Sequence, residues 1–174
     1  MSQQMEKERL NRWVNSSHVL SKFEPFMITV AQGLGRLDVK LIQYDQRFCG
    51  LPLEERNTIE EALLFTDHMT LSYLWVLGAY ELMRSIDQRC RDKLCLLENQ
   101  LIEKVKEVKL EFERIRIPLA KFEPSRRHQK TDSAIAFPAI HIEFGASWHI
   151  SYNKYVSRRE LSDTLLDLLE NMQK

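Results

Sequence analysis

Two histidines and a glutamate near the C-terminal end of the chain are spaced so that they could act together. His141 and Glu143 alternate with apolar residues in one short run, and His149 alternates with apolar residues in the next. Alternation with a period of two is typical of a β-strand that has one buried face. We therefore expect a β-hairpin whose polar face carries these three side chains together with Ser151.

The register of this hairpin follows from matching apolar residues across its two strands. The match sets Phe144 opposite Trp148 and Ile142 opposite Ile150, with the loop 145–147 between the strands. A loop with an even number of residues would place isoleucine opposite histidine and divide the apolar side chains between the two faces. The expected loop therefore has an odd number of residues.

In this register Glu143 lies directly opposite His149, and their Cβ atoms are about 5 Å apart. Two imidazoles and a carboxylate at such distances can act as acid and base on a phosphodiester, or can bind zinc. The candidate catalytic residues are His141, Glu143 and His149. A solvated polar sheet face would show the same pattern. Because no further ligand stands at metal-motif spacing, we predict neither a metal site nor a cofactor.

A basic segment before the hairpin indicates a second possible site. Residues 114–130 hold seven basic side chains, counting His128, against one acid, Glu123. The last helix is expected to begin at Arg158, and the free N–H groups and dipole of a helix N-terminus favour a phosphate. The candidate anion-binding residues are Arg126, Arg127, Arg158 and Arg159, which would suit a nucleotide or RNA. A basic loop that pairs with acids of this chain or of a second copy explains them as well.

Most of the chain that must position these residues is expected to be helical. Apolar residues recur at steps of four and three in residues 4–17, 26–48 and 97–118. A further helix follows the start signal of residues 57–60 and extends to about residue 91, either in one piece or broken near Thr66. The segment 157–160, Ser-Arg-Arg-Glu, is a capping box that begins the last helix.

The apolar patterns also predict how the helices pack. In residues 26–48 the steps place seven apolar side chains on one stripe: Phe26, Val30, Leu34, Leu37, Leu41, Tyr44 and Phe48. Gly33 and Gly35 interrupt this helix, which indicates close packing against another helix there. Residues 69–86 are apolar on every side, so this helix belongs at the centre of a bundle or in a subunit interface.

Together these elements predict a mainly α fold of the α+β class. We expect a bundle of about five helices with a short antiparallel β-hairpin before the C-terminal helix. The chain is expected to form a single domain, residues 1–174, with the helical bundle in 1–118, the loop and hairpin in 119–156 and the C-terminal helix in 157–174.

Composition limits the classes of function. Lysine plus arginine equals aspartate plus glutamate, at 25 each, so the whole molecule offers no long-range attraction to nucleic acid or to an anionic membrane. The most apolar run, residues 71–80, is about half the length that crosses a bilayer, so no membrane contact is expected. Three cysteines without a Cys-x-x-Cys pair suit a reducing cytoplasm.

Two classes of function remain open, and the sequence does not decide whether the protein is an enzyme. The favoured class is a soluble helical interaction or structural domain that self-associates as a homodimer. The alternative is an enzyme that acts on a phosphodiester or a nucleotide, RNase-like or metal-dependent, through the His/Glu face of the hairpin and the adjacent arginines. A ligand cavity lined by Tyr73, Trp75 and Tyr80 is a third reading of residues that core packing also explains.

Overall fold

A computed structural model of the chain describes residues 3–94 and 97–173. Within them, six α-helices and a three-stranded antiparallel sheet before the last helix confirm the expected mainly α fold. The helices are α1 Gln3–Ser17, α2 Phe26–Gly50, α3 Leu53–Arg56, α4 Ile59–Arg91, α5 Asn99–Lys121 and α6 Arg158–Asn171. The strands are β1 Phe137–His141, β2 Gly145–Ser151 and β3 Lys154–Ser157. Short 3₁₀ turns, His18–Lys22 and Arg126–His128, precede α2 and β1.

The longest helix, α4, lies at the centre of the core. It packs against α2 and α5, and Trp75, Val76, Ala79 and Met83 on it are fully buried. The helix is continuous from residue 59 to 91, so the break considered near Thr66 does not occur. The segment 69–86 therefore has one face in the core, whereas Leu71 (43%) and Leu74 (50%) on its other side are exposed.

The expected apolar stripe of α2 lies partly in the core and partly on the surface. Leu34, Leu41 and Phe48 are buried, but Phe26 is 79% and Val30 is 48% exposed, so the expectation of a single stripe is wrong at the N-terminal end. At this end of the helix Met27 and Ala31, each one residue further along, face the core instead.

The two glycines of α2 have different surroundings. A Cβ on Gly35 would lie 2.5 Å from the Cβ of Trp13, so α1 packs directly on the glycine backbone, as the sequence predicts. A Cβ on Gly33 would meet nothing within 4 Å, so the expected close contact there is absent.

Two helix boundaries differ from expectation. Pro118 was expected to end α5, but it lies buried inside the helix, which continues to Lys121 and ends at Phe122 in the left-handed region with φ 56°. The N-cap of α4 is Thr58, the second residue of the start signal 57–60, and its side chain accepts a hydrogen bond from the N–H of Glu61.

The hairpin forms three residues earlier than expected. In the pairing of β1 with β2, Pro138 lies opposite Trp148 and Ile140 lies opposite Ala146. The loop between them is 142–144, so the odd loop length was right and the register was wrong. The third strand, β3, extends the sheet beyond the expected hairpin and pairs with β2.

Contacts outside the apolar pattern set this register. His141 Nδ1 accepts hydrogen bonds from the N–H groups of Glu143 at 3.2 Å and Phe144 at 3.3 Å, which closes the loop. Gly145 follows with φ +69°, and Asp45 of α2 fills the space that a side chain at this position would need. Ile142 is consequently 88% exposed in the loop.

The last helix begins as expected. Ser157 Oγ accepts hydrogen bonds from the N–H groups of Arg159 at 3.1 Å and Glu160 at 3.3 Å. The helix then buries Leu161, Leu165, Leu168 and Met172 against the bundle. The predicted start of α6 and its apolar face are therefore confirmed.

Candidate functional site

The most heavily charged part of the interior is a group of five side chains, here called the central ion cluster. It consists of Arg9 of α1, Asp38 and Asp45 of α2, His68 of α4 and Arg158 of α6. Asp38 and Arg158 are fully buried, and Asp45 and His68 are nearly so. Four helices therefore contribute to the cluster, and α2 supplies two of its five side chains.

Arg158 joins the two aspartates of α2. Its Nη1 lies 2.6 Å from Asp38 Oδ1 and its Nη2 lies 3.1 Å from Asp45 Oδ2. The guanidinium carbon stands 5.8 Å from the centroid of the Trp75 ring, at cation–π distance. The Nε of Arg158 has no hydrogen-bond partner among the described residues. The side chain is thus held at its two terminal nitrogens.

The carboxylate of Asp38 also ties α1 to α2. Its Oδ2 accepts from Arg9 Nε at 2.6 Å and from Trp13 Nε1 at 3.0 Å. Burial by itself would raise the pKa of this carboxyl, but the positive charges of Arg158 and Arg9 hold the pKa below its usual value. Asp38 is therefore an ionised, fully paired group and is not free to transfer a proton.

The carboxylate of Asp45 connects α2 to α4 and to the sheet. His68 Nε2 lies 2.6 Å from Asp45 Oδ1, and the N–H of Ala146 donates to the same oxygen at 2.9 Å. The ring of Tyr44 stacks on His68 at 4.1 Å between centroids. Since its groups are paired with one another and only Arg9 is partly exposed, the cluster holds these elements together.

The predicted catalytic residues lie on the sheet, but not in the predicted arrangement. His141 and His149 lie on either side of Tyr155, with ring centroids 5.0 Å and 6.4 Å from that ring. Glu143 is in the exposed loop, and β2 places Phe137, not Glu143, opposite His149. The expected Glu143–His149 pair is therefore wrong, while a role for the two histidines stays a prediction.

The predicted anion-binding arginines occupy different environments. Arg158 belongs to the central ion cluster and is buried, whereas its neighbour Arg159 is half-buried. Arg126 and Arg127 are exposed on the 3₁₀ turn before β1. The four are not held around one ligand-sized space, and an anion site formed by them stays a prediction.

Two adjoining concavities flank α5. One, of about 350 Å³, lies between α5, β3 and α6, and the other, of about 330 Å³, lies between α5 and the 3₁₀ turn. Both are lined by Glu111 and Arg114, and Arg114 is bound to Asp132 by two hydrogen bonds of 2.7 and 2.8 Å. Burial raises the pKa of Glu111, with a smaller contribution from Glu107. Both spaces are shallow and of mixed charge.

An apolar surface, here called the α4 stripe, follows the first half of α4. It consists of Ile59, Leu63, Thr66, Thr70 and Leu74, at steps of four, three, four and four. Ile59 is 83%, Leu63 is 64% and Leu74 is 50% exposed. The two threonine hydroxyls donate to carbonyls of their own helix, Thr66 to Ala62 and Thr70 to Thr66, at 2.9 Å each. The hydroxyls are thus satisfied within the helix, and the exposed Asp67, four residues after Leu63, lies beside the stripe.

The central ion cluster and the α4 stripe were not predicted, but each has a signal in the sequence. Asp38 and Asp45 are seven residues apart and in phase with the buried Leu34 and Leu41, so two carboxylates on a buried helix face require a buried cation. For the α4 stripe, Ile59, Leu63 and Leu74 lie at helical spacing. Because apolar residues occur on every side of this helix, the spacing does not indicate which of its apolar residues are exposed.

The comparisons with known proteins add no relative. In the ranges 3–94 and 97–173, no three histidine, cysteine, aspartate or glutamate side chains are grouped so that they could hold a metal ion. In the same ranges, none of the helices combines the length and apolar character needed to span a membrane. The chain matches no protein-family model, no curated protein and no solved structure.

Proposed function

We propose that this protein is a helical interaction domain that forms a homodimer through the α4 stripe. The observation that supports the proposal is the exposure of Ile59, Leu63 and Leu74 along one line of a helix whose other side is core. Single exposed apolar residues are common, but a contiguous line of them marks a contact surface. Covering the line removes apolar area from water, which favours association.

The spacing of the stripe suits another helix as the partner. Steps of four and three residues place the side chains along one narrow strip, as in helices that pack side by side. Thr66 and Thr70 contribute small side chains at the middle of the stripe, which allows two helix axes to come close. A second copy of the chain supplies an identical strip.

The proposed partner helix runs antiparallel, as two-fold symmetry allows. The basic residues in the second half of α4 are paired within the chain, Arg84 with Glu81, Arg89 with Glu24 and Arg91 with Asp87, so the apolar side chains set the register. A two-fold axis near residue 68 makes the two α4 helices antiparallel. In this register Leu63 of one copy faces Leu74 of the other.

A cytoplasmic location belongs to the same proposal. Among the described residues no disulfide joins Cys49 or Cys90, which suits a reducing compartment. The alternative function, an enzyme that acts on a phosphodiester, has less support because Glu143 does not lie opposite His149.

Size-exclusion chromatography with light scattering tests the proposed dimer. The wild type is expected at twice 20.6 kDa, and Leu63→Glu is expected at 20.6 kDa because it places a carboxylate in the middle of the contact. Ile142→Glu is the matched control, since Ile142 is 88% exposed on the loop between β1 and β2. A wild-type mass of 20.6 kDa, or a dimer in Leu63→Glu, would reject the α4 stripe as the interface.

A further inference from the structure

The outer face of the sheet carries several aromatic and imidazole rings. His149 is exposed between Trp148 and Ile150, which are buried, so its side chain points away from the core. Phe137 of β1 and Tyr155 of β3 are its partners in the two ladders, and paired residues share a face. The three rings therefore form a row across the three strands.

A second set of rings joins this row at Tyr155. His141 stacks between Phe144 and Tyr155, with centroids 5.0 Å apart on each side and interplanar angles of 27° and 19°. His149 meets the Tyr155 ring edge-on, at 61°. The packing of these rings on one another fixes their orientation, so little side-chain freedom is lost when a flat ligand stacks beside them.

Two exposed cations line the concavities beside the ring surface. Lys154, next to Tyr155, lines the 350 Å³ concavity with it, and Arg127 lines the adjoining one. Neither forms a salt bridge among the described residues, although the charge of Lys154 acts on the nearby Glu111.

We infer that the outer face of the sheet binds single-stranded nucleic acid, with bases stacked on the Phe137, His149 and Tyr155 row and phosphates on Lys154 and Arg127. Every base has a flat π face, and stacking on aromatic side chains beside a cationic border is how single strands are bound without sequence preference. Glu111 and Glu160 line the same concavity as Lys154, so the phosphates are expected along its exposed rim. The neutral whole-molecule charge predicts modest affinity that falls steeply with salt.

Fluorescence anisotropy with labelled oligonucleotides of about ten nucleotides tests this inference. Oligouridine and oligothymidine separate RNA from DNA as the bound strand, and unlabelled duplex serves as competitor. We expect saturable binding at about 50 mM salt that weakens by at least about tenfold at about 200 mM salt. Tyr155→Ala should raise the dissociation constant about tenfold, and Tyr155→Phe, which keeps the ring, should change it less than about twofold.

Tyr152→Ala is the matched control, because Tyr152 is 98% exposed in the turn after β2 and outside the row. If circular dichroism shows that Tyr155→Ala is unfolded, the exposed pair His149→Ala and Phe137→Ala gives the decisive comparison. The inference is overturned if the wild type shows no saturable binding at about 50 mM salt, if duplex competes as well as single strands, or if Tyr152→Ala weakens binding as much as the row variants. Leu63→Glu should bind normally, so this result is independent of the proposed dimer.

Discussion

Arg158 shows at the residue scale how one side chain can have a structural role that its neighbours in the chain do not indicate. It occupies the first position of α6, next to the half-buried Arg159, and the two arginines look equivalent in sequence. Only Arg158 points to the core, where Asp38 and Asp45 bind its terminal nitrogens. Removing one partner from a buried ion pair is costly because the remaining charges lose compensation.

Arg158→Met should therefore lower the free energy of unfolding by about 3 kcal/mol, since it leaves two buried carboxylates with one cation fewer. Urea denaturation followed by circular dichroism measures the change. Arg159→Met is the matched control. It should lower the free energy of unfolding by less than about 0.5 kcal/mol, because Arg159 is partly exposed. Equal losses in the two variants would show that the central ion cluster contributes nothing specific.

The pH dependence of stability should reveal the ionisation of the Asp38 carboxyl group. Its pKa is held low in the folded protein by Arg158 and Arg9 against the effect of burial, so its stabilising contribution is complete above the ordinary aspartate pKa of about 3.9. That contribution is lost as the pH falls through the depressed folded pKa. Urea midpoints measured between about pH 6 and pH 3 should fall steeply in the wild type and less in Asp38→Asn. The same slope in both proteins would contradict this assignment.

At the scale of elements, helices were more predictable than strands. Steps of four and three residues located α1 and α2 within two residues, because the helical period is a local property of the chain. The register of β1 on β2 is not local: it depends on Asp45 of α2, which faces Gly145 and binds the N–H of Ala146. The contact between Asp45 and Ala146, which are 101 residues apart in the chain, therefore sets the register instead of the apolar match of Ile142 with Ile150.

The start of α6 gives a test at this scale. Ser157→Ala removes the acceptor for the N–H groups of Arg159 and Glu160 and should cost about 1 kcal/mol of unfolding free energy. Ser157→Gly should lower the free energy of unfolding by only a few tenths of a kcal/mol, because glycine leaves these N–H groups open to water. A thermal melt of the two variants beside the wild type compares them. Equal stability of Ser157→Ala and the wild type would mean that the cap is dispensable.

For the whole molecule, the sequence predicted the fold class but only part of the candidate sites. His141 and His149 were predicted and do lie on one sheet face, whereas Glu143 was placed there through the wrong register. The central ion cluster was missed because four separate helices supply its charges. The α4 stripe could be recognised only after the neighbours of α4 were known, since a helix that is apolar all round does not reveal its outer side.

The proposed dimer is an antiparallel pair in which Leu63 of one copy faces Leu74 of the other, and a mixing experiment tests it most directly. Leu63→Glu and Leu74→Lys should each be monomeric, because each buries an uncompensated charge in both contacts of the symmetric pair. An equimolar mixture should form a heterodimer, in which Glu faces Lys at one contact and leucine faces leucine at the other. Native mass spectrometry should then give twice 20.6 kDa for the mixture and 20.6 kDa for each variant alone. A mixture that stays at 20.6 kDa would contradict the account.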